Sequence, residues 1–178
     1  MHDSNQDKLL VDLGQGDLRT NRQVDQVVAR IENNPEAFKQ VFEGLYMYDK
    51  GLRMRCADAL EKAARNSPAL LQPYKKQILH DIALIKQKEV QWHVAQMLGY
   101  LDLTQEEVLH AAKILEKFFT TSKSNIVRVY AMQTLSDLTR SNLRIKPKVD
   151  KLIEQALHSG IPSLTVRARR LSLGFLVN

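Results

Sequence analysis

The chain has few residues that support catalytic or redox chemistry at a recognisable spacing. Cys56 is its only cysteine, which excludes an intrachain disulfide, and we interpret it as a small core residue. The five histidines show no metal-ligand spacing, and neither a glycine-rich phosphate loop nor a nucleophile elbow occurs. These absences predict no catalytic residue, no cofactor and no bound metal, and they favour a protein that is not an enzyme.

Long apolar runs are also missing. Nowhere do about 18 apolar residues follow one another, as a transmembrane helix requires, and the run from Leu9 to Leu13 is too short for a secretory signal. We therefore expect a cytoplasmic protein without a membrane partner. Gly14, Gly16 and the weak periodicity around them predict that residues 1–19 form a flexible arm with one short helix at Leu9 to Leu13.

Basic residues outnumber acidic ones, and the excess lies beyond residue 50. The 178 residues carry a formal net charge of +6. Residues 1–50 hold six Lys and Arg against nine Asp and Glu, so the rest of the chain carries a net charge of +9. Such a distribution favours an acidic partner, which includes an acidic protein, a nucleic acid or an anionic lipid.

Four segments of similar sequence recur at a nearly constant distance. They begin at Leu52, Val90, Val127 and Val166, which lie 38, 37 and 39 residues apart. This period is typical of stacked helix pairs. Apolar residues recur at helical spacing along the chain, and no segment is predicted to be a strand. We predict about nine helices, paired antiparallel, in one domain that spans residues 20–178.

Local signals predict several helix boundaries. Asn34 before Pro35 predicts a helix start, and Thr104 is expected to begin a capping box. Residues 49–51 (Asp-Lys-Gly) predict a tight turn. Pro73 is expected to kink the helix in which it lies, because proline removes one backbone hydrogen bond and crowds the preceding turn.

The recurring segments resemble the second helix of a HEAT repeat, an armadillo-like helical repeat. The motif VR-x-x-A-x-x-x-L stands here as Val127, Arg128, Ala131 and Leu135. The resemblance covers about residues 35–177 as four repeats, and it implies a right-handed α-solenoid of stacked antiparallel helix pairs. The motif identifies an architecture and not an activity, since the fold hosts many unrelated functions.

Arginines occupy the second position of three of the four segments. They are Arg53, Arg128 and Arg167, with Gln91 in the same register. In HEAT repeats this arginine usually bonds to acids or carbonyls of a neighbouring repeat. An arginine beside an apolar stripe also needs nearby partners, so we favour a structural role over a row of phosphate contacts.

The helical phase of each segment separates a core stripe from an opposite face. Positions four, eight and eleven after the first residue are predicted to be core, and they are Cys56, Leu60, Ala63, Val94, Leu98, Leu101, Ala131, Leu135 and Leu138. Positions two, three, six and ten point away from that stripe, toward the concave side of a solenoid. From this face, with Arg170 added, the residues predicted to bind a partner are Arg55, Trp92, His93, Gln96, Tyr100, Tyr130, Gln133, Arg169 and Arg170.

Trp92, the only tryptophan, has two interpretations. An aromatic anchor surrounded by Arg and Gln is typical of protein-binding hot spots and of base-stacking platforms. A large ring is also often mostly buried, here at the boundary between repeats. Sequence alone leaves both open.

Two functions are compatible with these features. We predict an interaction scaffold that binds a protein or peptide partner on the concave face. The alternative is a nucleic-acid-binding protein, because the fold more distantly resembles the HEAT-like DNA alkylation repair glycosylases, which hold damaged duplex DNA in a basic groove with aromatic residues. In that family Asp follows Trp by one turn, whereas Trp92 is followed by Gln96, so glycosylase activity is not expected.

Two surface features complete the sequence picture. Apolar residues near the end of the chain, Leu173, Phe175 and Leu176, favour self-association through a C-terminal end face. A second basic cluster surrounds the last interhelical turn, and we interpret it as a solvated face; its members are Arg140, Arg144, Lys146, Lys148 and Lys151.

Overall fold

The computed structural model of the chain describes residues 9–11, 13–14 and 22–174. Over these residues the regular secondary structure is helical and contains no strand, so the predicted all-α class is confirmed. None of the helices described is both long enough and apolar enough to cross a membrane. The chain divides into two compact units, residues 1–101 and residues 102–178, which are described in turn.

The first unit contains five α-helices within residues 22–101. They are α1 (Arg22–Ile31), α2 (Pro35–Glu43), α3 (Lys50–Asn66), α4 (Lys75–His80) and α5 (Lys88–Met97). Short 3₁₀ helices cover Gly44–Tyr46, Pro68–Tyr74 and Ile82–Leu84. Helix α3 packs against α1, α2 and α5, and it is therefore the central element of this unit.

The second unit contains four α-helices within residues 102–174. They are α6 (Gln105–Thr121), α7 (Asn125–Leu138), α8 (Lys146–Leu157) and α9 (Pro162–Gly174), with a 3₁₀ helix at Leu143–Ile145. Helix α7 packs against α6, α8 and α9, and α8 also packs against α9.

Two predicted helix starts are confirmed by their hydrogen bonds. The Asn34 side chain accepts a hydrogen bond from the Ala37 amide at 3.1 Å, and Pro35 is the first residue of α2. The Thr104 hydroxyl accepts one from the Glu107 amide at 3.3 Å, while the Glu107 carboxylate accepts one from the Thr104 amide at 2.8 Å. Each cap satisfies N–H groups that have no partner inside the helix.

Two other predicted boundaries are wrong. Lys50 and Gly51 do not form a tight turn, because they lie in the first turn of α3, where the Asp49 carboxylate accepts a hydrogen bond from the Leu52 amide at 2.6 Å. An N-cap aspartate supports the start of a helix in place of a turn. Pro73 does not kink one continuous helix either, since it lies within the 3₁₀ helix Pro68–Tyr74, which ends where α4 begins.

The predicted core stripe is confirmed in both units. Its nine members are all buried, and they are Cys56, Leu60, Ala63, Val94, Leu98, Leu101, Ala131, Leu135 and Leu138. The described part of the predicted arm, residues 9–11 and 13–14, is helical, with Leu9 and Leu13 buried. The other residues of 1–19 lie outside the described part of the chain, as do Phe175 and Leu176, so the flexible arm and the apolar end face stay predictions.

The arginine ladder has the structural role that its position indicates. Arg53 Nε donates to Gln87 Oε1 at 2.9 Å in the first unit. In the second unit Arg128 Nε donates to the Phe119 carbonyl at 3.0 Å, and Arg167 donates to Gln133 Oε1 at 2.8 Å. Each guanidinium therefore joins its helix to another part of the same unit.

Gly44→Ala is expected to destabilise the chain by about 1–3 kcal/mol, because the position is overpacked by any added carbon. A Cβ at Gly44 would collide with the Cys56 sulfur and lie 3.1 Å from Leu10 Cδ2. Cys56 is fully buried, so the collision would occur in the packed interior of the first unit. Urea denaturation monitored by circular dichroism measures the change in the free energy of unfolding.

Gly14→Ala is the matched control for that substitution. Gly14 is also helical, but a Cβ there meets nothing within 4 Å. Alanine is the better helix former, so this variant is expected to be neutral or stabilised by up to about 1 kcal/mol. Equal stabilities of the two variants would contradict close packing around Gly44.

Candidate functional site

Three of the residues predicted to bind a partner are buried. Arg55, His93 and Gln96 each lie in the interior of the first unit, so the expectation that they point into an open groove is wrong. Arg55 is covered from the N-terminal side, where it donates to the Gly14 carbonyl at 3.5 Å. His93 faces α3, because its imidazole lies beside the buried carboxylate of Glu61. Helices packed against α3 thus close a face that a single helix pair would leave open.

Trp92 and Tyr100 are half-buried and lie next to this interior. The Trp92 ring stacks on the His93 imidazole, with centroids 4.5 Å apart and planes inclined by 20°. The Tyr100 hydroxyl donates to Glu61 Oε1 at 2.7 Å. Both rings therefore pack against the first unit and keep part of their surface in solvent. Trp92 thus lies where the interior of this unit meets the solvent.

In the second unit the predicted residues fall into two groups. Tyr130 and Gln133 are half-buried and share Arg167, whose guanidinium carbon lies 5.8 Å from the Tyr130 ring centroid and which also donates to Gln133. Arg169 and Arg170 are exposed, as predicted. A single strip that joins the candidates of both units stays a prediction.

A buried carboxylate organises the polar interior of the first unit. Glu61 is only 1% exposed, and its carboxylate accepts hydrogen bonds from Arg65 at 2.7 Å and from Tyr100. His93 Nδ1 lies 4.0 Å from Glu61 Oε2, too far for a hydrogen bond, and it has no hydrogen-bond partner within the described part of the chain.

The environment of this cluster shifts several pKa values. Burial lowers the pKa of His93 to about 4, although the nearby Glu61 carboxylate opposes the shift, so the imidazole is neutral at pH 7. Burial, together with the hydrogen bond to Glu61, raises the pKa of Tyr100 to about 12. The hydrogen bond to Glu61 also raises the pKa of Arg65 above its ordinary value.

Sequence reasoning did not identify Glu61 as part of any site. A signal was present, because Asp58, Glu61, Lys62 and Arg65 follow the i, i+3, i+4, i+7 spacing of one helix face. The partner His93 comes from a helix more than 30 residues later, so only the packing of α5 on α3 brings it to these side chains.

A second feature of the first unit is a basic groove at the start of α3. We call it the α3 groove; it is lined by residues 50–51 and 53–54 of α3 and by residues 85–89. Its cationic side chains are Lys50, Arg53, Lys86 and Lys88, and Glu89 is the acidic one. Met54 and Ile85 supply apolar surface.

Gln87 fixes the two walls of the α3 groove relative to each other. Its side-chain nitrogen donates to the Lys50 carbonyl at 2.8 Å, and its side-chain oxygen accepts from Arg53 Nε at 2.9 Å. Gln87 precedes the first residue of α5 but makes no side-chain cap for it, because the amide is used across the groove. The sequence prediction missed this groove, since a structural role was favoured for Arg53 and Lys50 was assigned to a turn.

Exposed apolar side chains lie beside the α3 groove along the chain. Tyr46 and Met47 are about half exposed, at 54% and 44%, and Tyr48, two residues before the groove residue Lys50, is fully exposed at 101%. Leu84, which precedes the groove residue Ile85, is also exposed. Exposed large apolar groups close to a charged groove are typical of surfaces that contact another protein.

Cys56 has the structural role that was predicted for it. It is fully buried in the first unit, and burial raises the pKa of its thiol to about 12, despite the opposing charge of Arg55. The reactive thiolate form is therefore suppressed at neutral pH.

Comparisons with known proteins give no neighbour for this chain: no protein-family model matches it, and neither a curated protein nor a solved structure does so. Its HEAT-repeat character therefore stays a prediction from the repeated motif.

Proposed function

We propose that this protein is a non-enzymatic interaction module that binds an acidic segment of a partner protein in the α3 groove. Stacked HEAT-type helix pairs would supply the rigid frame. The observation that carries the proposal is that four cationic residues line one groove, and they are Lys50, Arg53, Lys86 and Lys88. Carboxylates of a partner would meet these groups, and such pairing raises the rate and specificity of association.

The apolar residues beside the groove favour a protein over a nucleic acid as the partner. A protein segment offers aliphatic and aromatic side chains to Tyr48 and Met47, which are exposed, and to Met54 and Ile85 in the groove wall. Buried aromatic and aliphatic anchors supply most of the binding energy in protein interfaces.

Charge pairing in the second unit makes its basic cluster a weaker candidate than the α3 groove for binding an acidic partner. Within the basic cluster predicted there, Lys146 Nζ lies 2.8 Å from an Asp150 carboxylate oxygen, and Lys148 Nζ lies 2.5 Å from one of Glu116. These two lysines are thus partly neutralised by the protein itself. In the α3 groove the same holds for Lys88, whose Nζ lies 3.7 Å from a Glu89 carboxylate oxygen, whereas Lys50 and Lys86 have no ion pair within the described part of the chain. Arg169 and Arg170 are exposed and stay candidates for a separate contact in that unit.

The proposal is tested by reversing charge in the α3 groove. Acidic peptides selected from a displayed library are labelled, and their affinity for the purified chain is measured by fluorescence anisotropy. The double variant Lys50→Glu, Lys86→Glu is expected to weaken binding about tenfold or more, which corresponds to about 1.4 kcal/mol. Both lysines are exposed, so folding should be unchanged by circular dichroism.

The matched control is the double variant Lys113→Glu, Lys151→Glu, which has the same change in net charge at two exposed positions of the second unit. It is expected to bind the peptides nearly as well as the wild type does. Equal loss in both double variants would show that binding is only a response to net charge and would overturn the assignment to the groove. Tight binding of a labelled DNA duplex would instead support the nucleic-acid alternative. In that case the logarithm of the affinity should fall with the logarithm of the salt concentration, with a slope of about −0.9 for each phosphate contacted.

A further inference from the structure

We propose that Asp58, Glu61 and His93 form a binding site for a divalent transition metal ion of the zinc type. Asp58 and Glu61 lie three residues apart on α3 and share one helix face, while His93 lies on α5, which packs against α3. The site is separate from the α3 groove, which involves the first turns of α3 and α5 and none of these three residues.

The ligand atoms are already close together. One nitrogen of His93 and one carboxylate oxygen from each acid all lie within 4.8 Å of one another. Two ligands of a tetrahedral zinc ion, each bound at about 2.0–2.1 Å, stand roughly 3.4 Å apart. A closure of up to about 1.4 Å by side-chain rotation would therefore complete the coordination. Asp58 has the freedom for it because its side chain is 22% exposed.

His93 supplies the observation that points to a ligand. Its side chain is only 4% exposed, and Nδ1 faces the Glu61 carboxylate without a hydrogen-bond partner in the described part of the chain. A buried polar atom without a partner destabilises the fold, because it has lost its hydrogen bonds to water. A metal ion bound to this nitrogen would remove that destabilisation, and the Trp92 ring stacked on the imidazole would hold its plane fixed.

The donor set also fits a transition metal. An imidazole nitrogen binds such an ion through its lone pair, and Nδ1 of His93 has no hydrogen-bond partner within the described residues. Calcium and magnesium prefer oxygen ligands alone, whereas an imidazole with carboxylates suits zinc and its neighbours. Three protein ligands leave a fourth position, which water can fill from the exposed side of Asp58.

Two cations now neutralise these carboxylates, and both can be released. Arg65 bonds to Glu61, but the Arg65 side chain is 56% exposed and can turn into solvent. Lys62 lies 3.2 Å from Asp58 and also 3.2 Å from Asp25, so it keeps an ion pair when Asp58 turns to a metal. The metal ion would replace the charge of Arg65 at Glu61.

The test uses the full chain without a histidine tag, stripped of metal by a chelator and then dialysed. Titration calorimetry with Zn²⁺ is expected to show one ion bound per chain, with a rise of several degrees in Tm at saturation. Co²⁺ should give the visible absorption of a tetrahedral site. His93→Gln and Asp58→Asn should each weaken Zn²⁺ binding about 30-fold or more, with unchanged circular dichroism, while His158→Gln, at an exposed position, should bind as the wild type does.

Arg65→Gln is a variant for which Zn²⁺ affinity is expected to increase. Because this substitution removes the cation that competes for Glu61, it is expected to tighten Zn²⁺ binding several-fold. An unchanged or weaker affinity would contradict the assignment of Glu61 as a ligand. The proposal as a whole is overturned if the wild type binds Zn²⁺ no more tightly than His93→Gln does.

Discussion

Lowering the pH from 7 to 5 is expected to destabilise the wild-type chain by about 2 kcal/mol more than it destabilises His93→Gln. The pKa of His93 falls from 6.5 to about 4 on folding, chiefly because the imidazole is buried. Between these two values the unfolded chain binds a proton that the folded chain does not. The contribution of His93 is therefore complete above about pH 6.5 and is lost as the pH falls toward 4.

The neighbours of His93 oppose one another in this titration. The carboxylates of Glu61 and Glu89 favour the imidazolium, whereas Lys62 and Arg65 disfavour it, and burial outweighs all four. Protonation of acids distant from His93 affects both proteins alike, so the difference between wild type and variant reports the titration of His93 within its local cluster.

Urea denaturation at several pH values, in buffer that contains a chelator, measures the difference in unfolding free energy. His158→Gln is the control, and its curve is expected to stay parallel to that of the wild type because His158 is exposed. A His93 imidazole resonance that titrates near pH 6.5 in the folded protein, or parallel curves for wild type and His93→Gln, would contradict a buried neutral histidine.

Periodicity was sufficient to predict the helices and the core of this protein. Cys56, Leu98 and Leu135 could be assigned to the interior because apolar residues on one helix face recur at fixed positions in each segment. Local capping signals such as Asn34 and Thr104 were also reliable, since the side chains that satisfy the first N–H groups lie within three residues of them.

The polar face could not be predicted in the same way. Helical phase predicts the direction in which a side chain points, but it does not predict which other part of the chain packs over that side chain. His93 and Arg55 are buried by residues distant in sequence. The Asp49 cap was mistaken for part of a turn because the sequence Asp-Lys-Gly is compatible with both a turn and a helix start. Glu61 and Gln87 gained their significance only from tertiary partners, which no local pattern reveals.

Phe119→Ala is expected to cost about 3–5 kcal/mol of unfolding free energy, the largest effect of any substitution considered for this chain. The ring is 2% exposed, and the Arg128 guanidinium carbon lies 5.2 Å from its centroid. The loss combines the burial of a large side chain, the cavity that remains and the cation–π contact.

Arg128→Ala separates the two interactions that join this arginine to Phe119. The substitution removes the hydrogen bond from Nε to the Phe119 carbonyl, at 3.0 Å, as well as the cation–π contact, and it is expected to cost about 1–2 kcal/mol. Phe119→Ala keeps the carbonyl and hence the hydrogen bond. The coupling energy of the double-mutant cycle therefore measures the cation–π contact alone, for which we expect about 0.5–1 kcal/mol.

Arg169→Ala, at an exposed position, is expected to stay within about 0.5 kcal/mol of the wild type. If Arg128→Ala also changed the unfolding free energy by less than about 0.5 kcal/mol, Arg128 would contribute little to the stability of the fold. Its side chain would then again be a candidate for contact with a ligand.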